Sequence, residues 1–193
     1  MPLLPAEPSY FPPTLFDAES SAAGTSRAWW VLHTKPRQEK SLARRLAAGQ
    51  VPFYLPTITR RNRIRNRVLC SYVPLFPGYL FLLADSAERL RCLETNCVVR
   101  SLPVPDQEGL WHDLTQVERL IASGEPIDPE SRLIPGALVE IRTGPLAGLK
   151  GRILREASGH RFVVQVDFIQ RGASVLLDDV ALAAVVNESA TLS

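Results

Sequence analysis

The chain has 193 residues, enough for one or two domains with a real core, and its 46% apolar and 22% charged residues are ordinary for a soluble globular protein. No apolar run approaches the roughly 18 residues needed to cross a bilayer, and no cationic stretch followed by an apolar core marks a signal peptide, so no membrane role and a cytoplasmic setting are expected. The net charge of +2 averages unlike blocks: residues 1–26 sum to −3, 27–67 to +10, 68–134 to −5, and 135–193 to zero. A basic block beside an acidic one suggests a protein that presents one face to a polyanion.

Residues 1–26 hold five prolines followed by a Ser/Ala/Gly stretch and read as a disordered tail. Ala28 to Thr34 is a β-branched and aromatic run that reads as a strand. Lys35-Pro36 opens a helix with Leu42, Ala43, Leu46 and Ala47 at helical spacing, closed by Gly49. Phe53 to Thr59 reads as a second strand, and an arginine-rich excursion runs on to Arg67. Val68 to Tyr72 and Gly78 to Leu83 read as strands, broken by Pro74 and Pro77. Ser86 can cap a helix carrying Leu90 and Leu93, and Val98-Val99 is a short strand. Thr115-x-x-Glu118 has the form of a capping box before Val117, Leu120 and Ile121, with Gly124 closing that helix. Glu125 to Leu133, with Pro126 and Pro129, reads as a linker.

From Pro135 the apolar period changes to two, with Ala137/Val139/Ile141, Phe162/Val164/Val166 and Val175/Leu177, which implies a small barrel. Between the first two of these runs, Gly144-Pro145, Gly148 and Gly151 supply turn geometry. The segment Gly136 to Gly151 resembles the KOW motif of transcription and ribosomal proteins.

Trp29-Trp30-Val31-Leu32-His33-Thr34-Lys35, then Pro74-Leu75-Phe76-Pro77-Gly78-Tyr79-Leu80-Phe81, precede this segment. In that order the elements resemble the NusG family of transcription elongation and antitermination factors, over roughly residues 28–186. Tyr54 to Thr59, with the basic insertion after it, looks closer to specialised RfaH-like paralogues than to the housekeeping form. The resemblance implies an α+β chain. A disordered tail (1–26) precedes an NGN domain (27–124) with an antiparallel sheet and flanking helices. A linker (125–133), an SH3-like KOW β-barrel (134–186) and a tail (187–193) follow.

It further implies a monomer that docks on the clamp helices of RNA polymerase through an apolar patch, bridges the main channel and suppresses pausing. Carried onto this chain, Phe76 and Tyr79 fall in the docking patch with His33 at its edge. Aromatic anchors in a desolvated patch dominate many interfaces. The opposite polymerase lobe would be met near Glu88, Arg89 and Arg91. Lys35, Arg37 and Arg45 would face the non-template DNA strand.

Arg60, Arg61, Arg63, Arg65 and Arg67 lie within eight residues and repel one another unless phosphates neutralise them. Alternation from Arg63 to Arg67 would set those arginines on one face of a strand or hairpin.

Two elements depart from the family pattern. Thr95-Asn96-Cys97-Val98 has cysteine where the family carries glycine, and Ile169-Gln170-Arg171 keeps only the arginine of a Phe-Gly-Arg element. Ile169 and Arg171 would form the KOW partner surface for a ribosomal protein or Rho, a role weakened by the missing aromatic. No enzyme, cofactor or metal is expected. His33, His112 and His160 lack ligand spacing, and Gly144 to Gly151 is not a phosphate loop. Asp178-Asp179 reads as a turn. Three cysteines without a CxxC pair suit a reducing compartment, with Cys92 and Cys97 as small buried hydrophobes. The alternative reading is a ribosome- or RNA-binding KOW protein that does not act on polymerase.

Overall fold

Alternation along Ala28–Thr34 sends Leu32 to one face of a sheet and Trp29 and Val31 to the other, and all three are buried. The computed structural model describes residues 8–17, 26–64, 67–130, 137–156, 159–177 and 185–187, and the chain divides into two units, Met1–Gln107 and Glu108–Ser193. That division falls inside the stretch expected to form the first domain.

The first unit contains β1 (Tyr10–Phe11), β2 (Ala28–Thr34), α1 (Glu39–Ala48), β3 (Phe53–Tyr54), β4 (Thr57–Ile64), β5 (Arg67–Pro74), β6 (Tyr79–Ala84), α2 (Ser86–Glu94) and β7 (Val98–Pro103). Five of the strands make an antiparallel sheet in the order β1-β3-β6-β2-β7. One face buries Leu32, Phe53, Leu80 and Leu82 with Leu42, Ala43 and Leu46 of α1 and Cys92 of α2. The other carries an aromatic chain in which Tyr10 meets Phe16, Phe16 meets Tyr54, Tyr54 meets Phe81 and Phe81 meets Phe76, at centroid separations of 5.5, 4.8, 6.3 and 6.4 Å. β4 and β5 form a separate two-stranded ribbon.

Several local expectations are corrected. The N-terminal stretch is not wholly irregular: Tyr10 pairs with Tyr54 and Phe11 with Phe53, and Leu15 is buried. Proline-rich composition hid an apolar core of Tyr10, Phe11, Leu15 and Phe16 that can order a short strand. The first helix begins at Glu39, not at Pro36, because Arg37 adopts φ +63° and breaks helical geometry. Phe53 to Thr59 is interrupted at Leu55-Pro56. α2 is capped by Asp85, not Ser86, through a reciprocal box in which Glu88 N donates to Asp85 Oδ1 and Asp85 N donates to Glu88 Oε2.

The second unit takes in α3 (Gln107–Ala122) from Glu108 onward, with β8 (Asp128–Glu130), β9 (Ala137–Ile141), β10 (Lys150–Glu156), β11 (Gly159–Val166), β12 (Arg171–Leu177) and β13 (Val185–Asn187). Thr115 sits inside α3 and caps nothing, since its hydroxyl donates to Trp111 O one turn back. The strands form an antiparallel sheet in the order β13-β9-β10-β11-β12-β8. Among the described residues no pairing of β8 with β13 closes it.

Part of the expected linker is β8, held to β12 where Ser174 Oγ donates to Glu130 Oε1 at 2.6 Å and Arg161 Nη1 donates to Ser174 Oγ at 3.1 Å. The glycine-rich turn is closed by Gly148 N donating to Ile141 O (2.6 Å) and Ile141 N donating to Leu149 O (3.0 Å), with φ of +84° at Gly144 and +77° at Gly148. Within this unit α3 lies along the turn. Gln116 Oε1 accepts from Lys150 N, and Arg119 donates to Ala147 O and Gly148 O. The rest of the linker to Leu133, Asp178-Asp179 and the final tail beyond Asn187 lie outside the described residues.

Candidate docking cleft and basic ribbon

The Pro77-Gly78 reversal connects β5 to β6 and is fixed from two sides. Gly78 N donates to Glu39 Oε1 at 2.8 Å, and Thr34 N donates to Gly78 O at 2.9 Å. Glu39 is only 6% exposed, so its carboxylate is spent on this backbone contact. Gly78 has φ +84°, and a Cβ there would lie 3.6 Å from His33 Nε2. His33 and Tyr79 are register partners across β2 and β6, and their rings lie 5.5 Å apart at 55°. His33 is exposed and Tyr79 half-buried.

Beside this pair opens a cleft of about 650 Å³, walled by β2, the start of α1, the base of the ribbon and β7. His33, Thr34, Pro77, Tyr72 and Val99 line it. Tyr72 is 41% and Val99 60% exposed, and the two line the same cleft, so their apolar surface is gathered there instead of scattered singly. Sequence reading missed both. The available signals were the unpaired valine of Val98-Val99, which alternation must turn outward if Val98 turns inward, and the lone tyrosine of an otherwise basic hairpin.

Phe76 was expected in the same patch, but it is 2% exposed and packs edge-on against Phe81. The reversal separates the two aromatics of the Phe-Pro-Gly-Tyr element: Phe76 supports the turn from the core, and Tyr79 lies half-buried against His33, which lines the cleft.

Lys35 and Arg45 converge on one turn. Lys35 Nζ donates to Asn96 Oδ1 at 2.6 Å, and Arg45 Nη1 donates to Thr95 O at 3.4 Å. Asn96, with φ +59°, takes the left-handed position, so Cys97 needs no glycine-like freedom and its side chain is buried in the core. Arg37 stands apart from the other two, exposed at the cleft.

Glu88 is bound by Arg27, and the Arg89 guanidinium lies 4.5 Å from the Trp30 ring, so these two residues are engaged within the fold; Arg91 is exposed. Arg60 is exposed on β4. Arg61, Arg63 and Arg67 occupy ladder positions opposite Cys70, Val68 and Ile64, and the Arg65 expectation lies outside the described residues. Whether Arg63 to Arg67 share a face likewise involves side chains outside the described set.

In the second unit Ile169 is buried in a short 3₁₀ turn (Asp167–Ile169), and Arg171 is half-buried at the start of β12. An inward Ile169 offers no apolar anchor at the surface. Among the described residues no cluster of three His, Cys, Asp or Glu side chains could hold a metal, and no helix is long and apolar enough to cross a membrane.

A family model described as transcription termination factor nusG matches residues 27–120. A solved structure described as "Domain interaction in Thermotoga maritima NusG" is similar at 17% identity, with 84% of this chain and 97% of that chain covered and a TM-score of 0.41. No curated protein matches the chain. The cleft lies within the matched segment, residues 27–120, which carries the signature of the NusG family of transcription factors.

Proposed function

We propose that this protein binds RNA polymerase during elongation and promotes processive transcription as a specialised, RfaH-like antitermination factor. The observation that carries the reading is a cleft lined by His33, whose ring lies 5.5 Å from that of Tyr79, and whose walls expose Tyr72 and Val99, all inside the family-matched segment. Such a surface suits the clamp helices of the polymerase: an apolar ridge enters the cleft, while the half-exposed rings supply the desolvated anchors. Phe76 keeps the turn rigid from below, so the rings are presented with little entropy left to lose.

Lys35 and Arg45, gathered on the Thr95–Asn96 turn, face the displaced non-template strand. The bound protein holds the clamp closed, which disfavours the opened, paused form. The specialised assignment is supported by the basic insertion after Thr59 and by the buried aliphatic at position 169, which removes an anchor for Rho or a ribosomal protein.

The test uses purified core polymerase and a template with a strong pause. Added protein is expected to shorten the pause, and a His33→Ala/Tyr79→Ala variant is expected to lose both capture and the effect. Intact capture by that variant would overturn the docking reading.

A further inference from the structure

The ribbon of β4 and β5 has a use that docking at the cleft does not absorb. The two strands pair only with each other among the described residues, and they hold register over eight residue pairs, from Thr57 with Pro74 to Ile64 with Arg67. At ~3.3 Å per residue, eight-residue strands give a rod about 26 Å long, two strands wide. Its sequence carries Arg60, Arg61, Arg63 and Arg67 with Asn62 among them. From Lys40 to Ala84 the chain has eight Lys/Arg residues and no acid at all, so the rod belongs to a uniformly positive stretch of sequence.

Three nucleic-acid forms could neutralise this charge, and residue chemistry separates them. Single strands are held largely by aromatic side chains on which bases stack. The ribbon has one aromatic, Tyr72, opposite Thr59 near its base, where it lines the cleft instead of the rod. A-form RNA has a major groove too deep and narrow for side chains to read. The major groove of B-DNA, about 12 Å wide, admits a two-stranded ribbon, and arginine and asparagine are the side chains that pair with base edges there. We infer that the β4–β5 ribbon is a binding element for double-stranded B-form DNA that lies in the major groove. This rests on the expectation from sequence that the same arginines meet phosphates, and it is independent of polymerase docking.

The test measures binding of the full chain, by fluorescence anisotropy at rising salt, to a DNA duplex of two helical turns, to one of its strands alone and to a duplex RNA of equal length. Duplex DNA is expected to bind about tenfold or more tighter than either, and Arg61→Gln/Arg63→Gln/Arg67→Gln is expected to flatten the log–log salt slope by roughly 2–3, near 0.9 for each phosphate no longer neutralised. The matching triple lysine variant keeps the charge and is expected to keep the slope. Methylation of guanine N7 in the duplex is expected to weaken binding, since that atom lies in the major groove. Equal binding of the single strand or of duplex RNA, an unchanged slope in the glutamine variant, or indifference to N7 methylation would each overturn the inference. Polymerase capture by the glutamine variant, expected at the level of the parent chain, separates a failure here from a failure of the docking reading.

Discussion

Arg27 grips Glu88 with two parallel hydrogen bonds, Nε to Oε2 at 2.9 Å and Nη2 to Oε1 at 2.6 Å. Oε2 of the same carboxylate also accepts from Asp85 N at 3.0 Å, which completes the cap of α2. One side chain thus ties the entry of β2 to the start of the helix that covers β6 and β7. The Arg27 hydrogen bonds hold the Glu88 carboxyl below its ordinary value of 4.5, against burial, which pushes it up. Because the folded value is depressed, the contribution is complete above the unfolded pKa and fades as pH falls through the folded one.

Glu88→Gln is therefore expected to lower unfolding free energy at neutral pH by about 1 kcal/mol, a modest figure because the arginine is partly solvated. The gap from the parent chain is expected to narrow below the ordinary carboxylate value. Urea titrations at neutral and acid pH check both.

Phe76 and Tyr79 are expected to part company on mutation. Phe76→Ala empties a fully packed site and is expected to cost about 3–5 kcal/mol of stability. Tyr79→Ala removes a half-exposed ring, and little stability loss is expected. Polymerase affinity is expected to weaken by about 30-fold, equivalent to losing ~2 kcal/mol of interface energy. Thermal unfolding and polymerase titration, run on both variants, distinguish the roles.

The contrast separates what the residues spell out by themselves from what packing decides. The strand at Ala28–Thr34 and the helix around Leu42 and Leu46 follow from apolar period alone, because each buries a face that the sequence spells out. The Phe-Pro-Gly-Tyr turn does not, since the direction of Phe76 depends on Phe81, whose own inward facing is set by pairing with Val31 and Tyr54. The Thr115-x-x-Glu118 pattern misled for a related reason. Capping chemistry and a mid-helix hydroxyl bonded to the preceding turn use the same residues, and only the preceding Leu110 and Leu114, buried on the same helix, tell them apart. Of the candidate site, His33 and Tyr79 were legible as a resemblance; Tyr72 and Val99 were not, because exposure of an apolar side chain is a property of the packed whole.

The glycines of the Gly136 to Gly151 motif are expected to tolerate alanine unequally. At Gly151 a Cβ would stand 2.5 Å from Val163 O and 2.7 Å from the Phe162 ring, so backbone must move, and a loss of about 3 kcal/mol is expected. At Gly144 nothing lies within 4 Å, and only the positive φ is penalised, by about 1 kcal/mol. Gly148→Ala is expected to fall between them, since the atom it meets at 3.0 Å belongs to the flexible Arg119 side chain. Denaturant unfolding of the three variants gives the order.

Thiol labelling should divide the cysteines. Burial, with Cys97 nearby as the lesser cause, pushes the Cys92 thiol up to about 12, and Cys97 is buried as well. Cys70, half-buried on β5, is the accessible one. Alkylation at mildly alkaline pH is expected to modify one thiol per native chain, and all three after unfolding, as counted by intact mass.

The short N-terminal strand carries a practical warning for anyone cutting this protein down. Starting a fragment at Arg27, where the family match begins, would strip Tyr10 and Phe11 from the outer side of β3 and leave the Tyr54 ring without Phe16. A bare ladder of amides next to an unshielded aromatic invites a second copy of the fragment to complete it. Such a trimmed preparation would be prone to stick to itself for reasons unrelated to transcription.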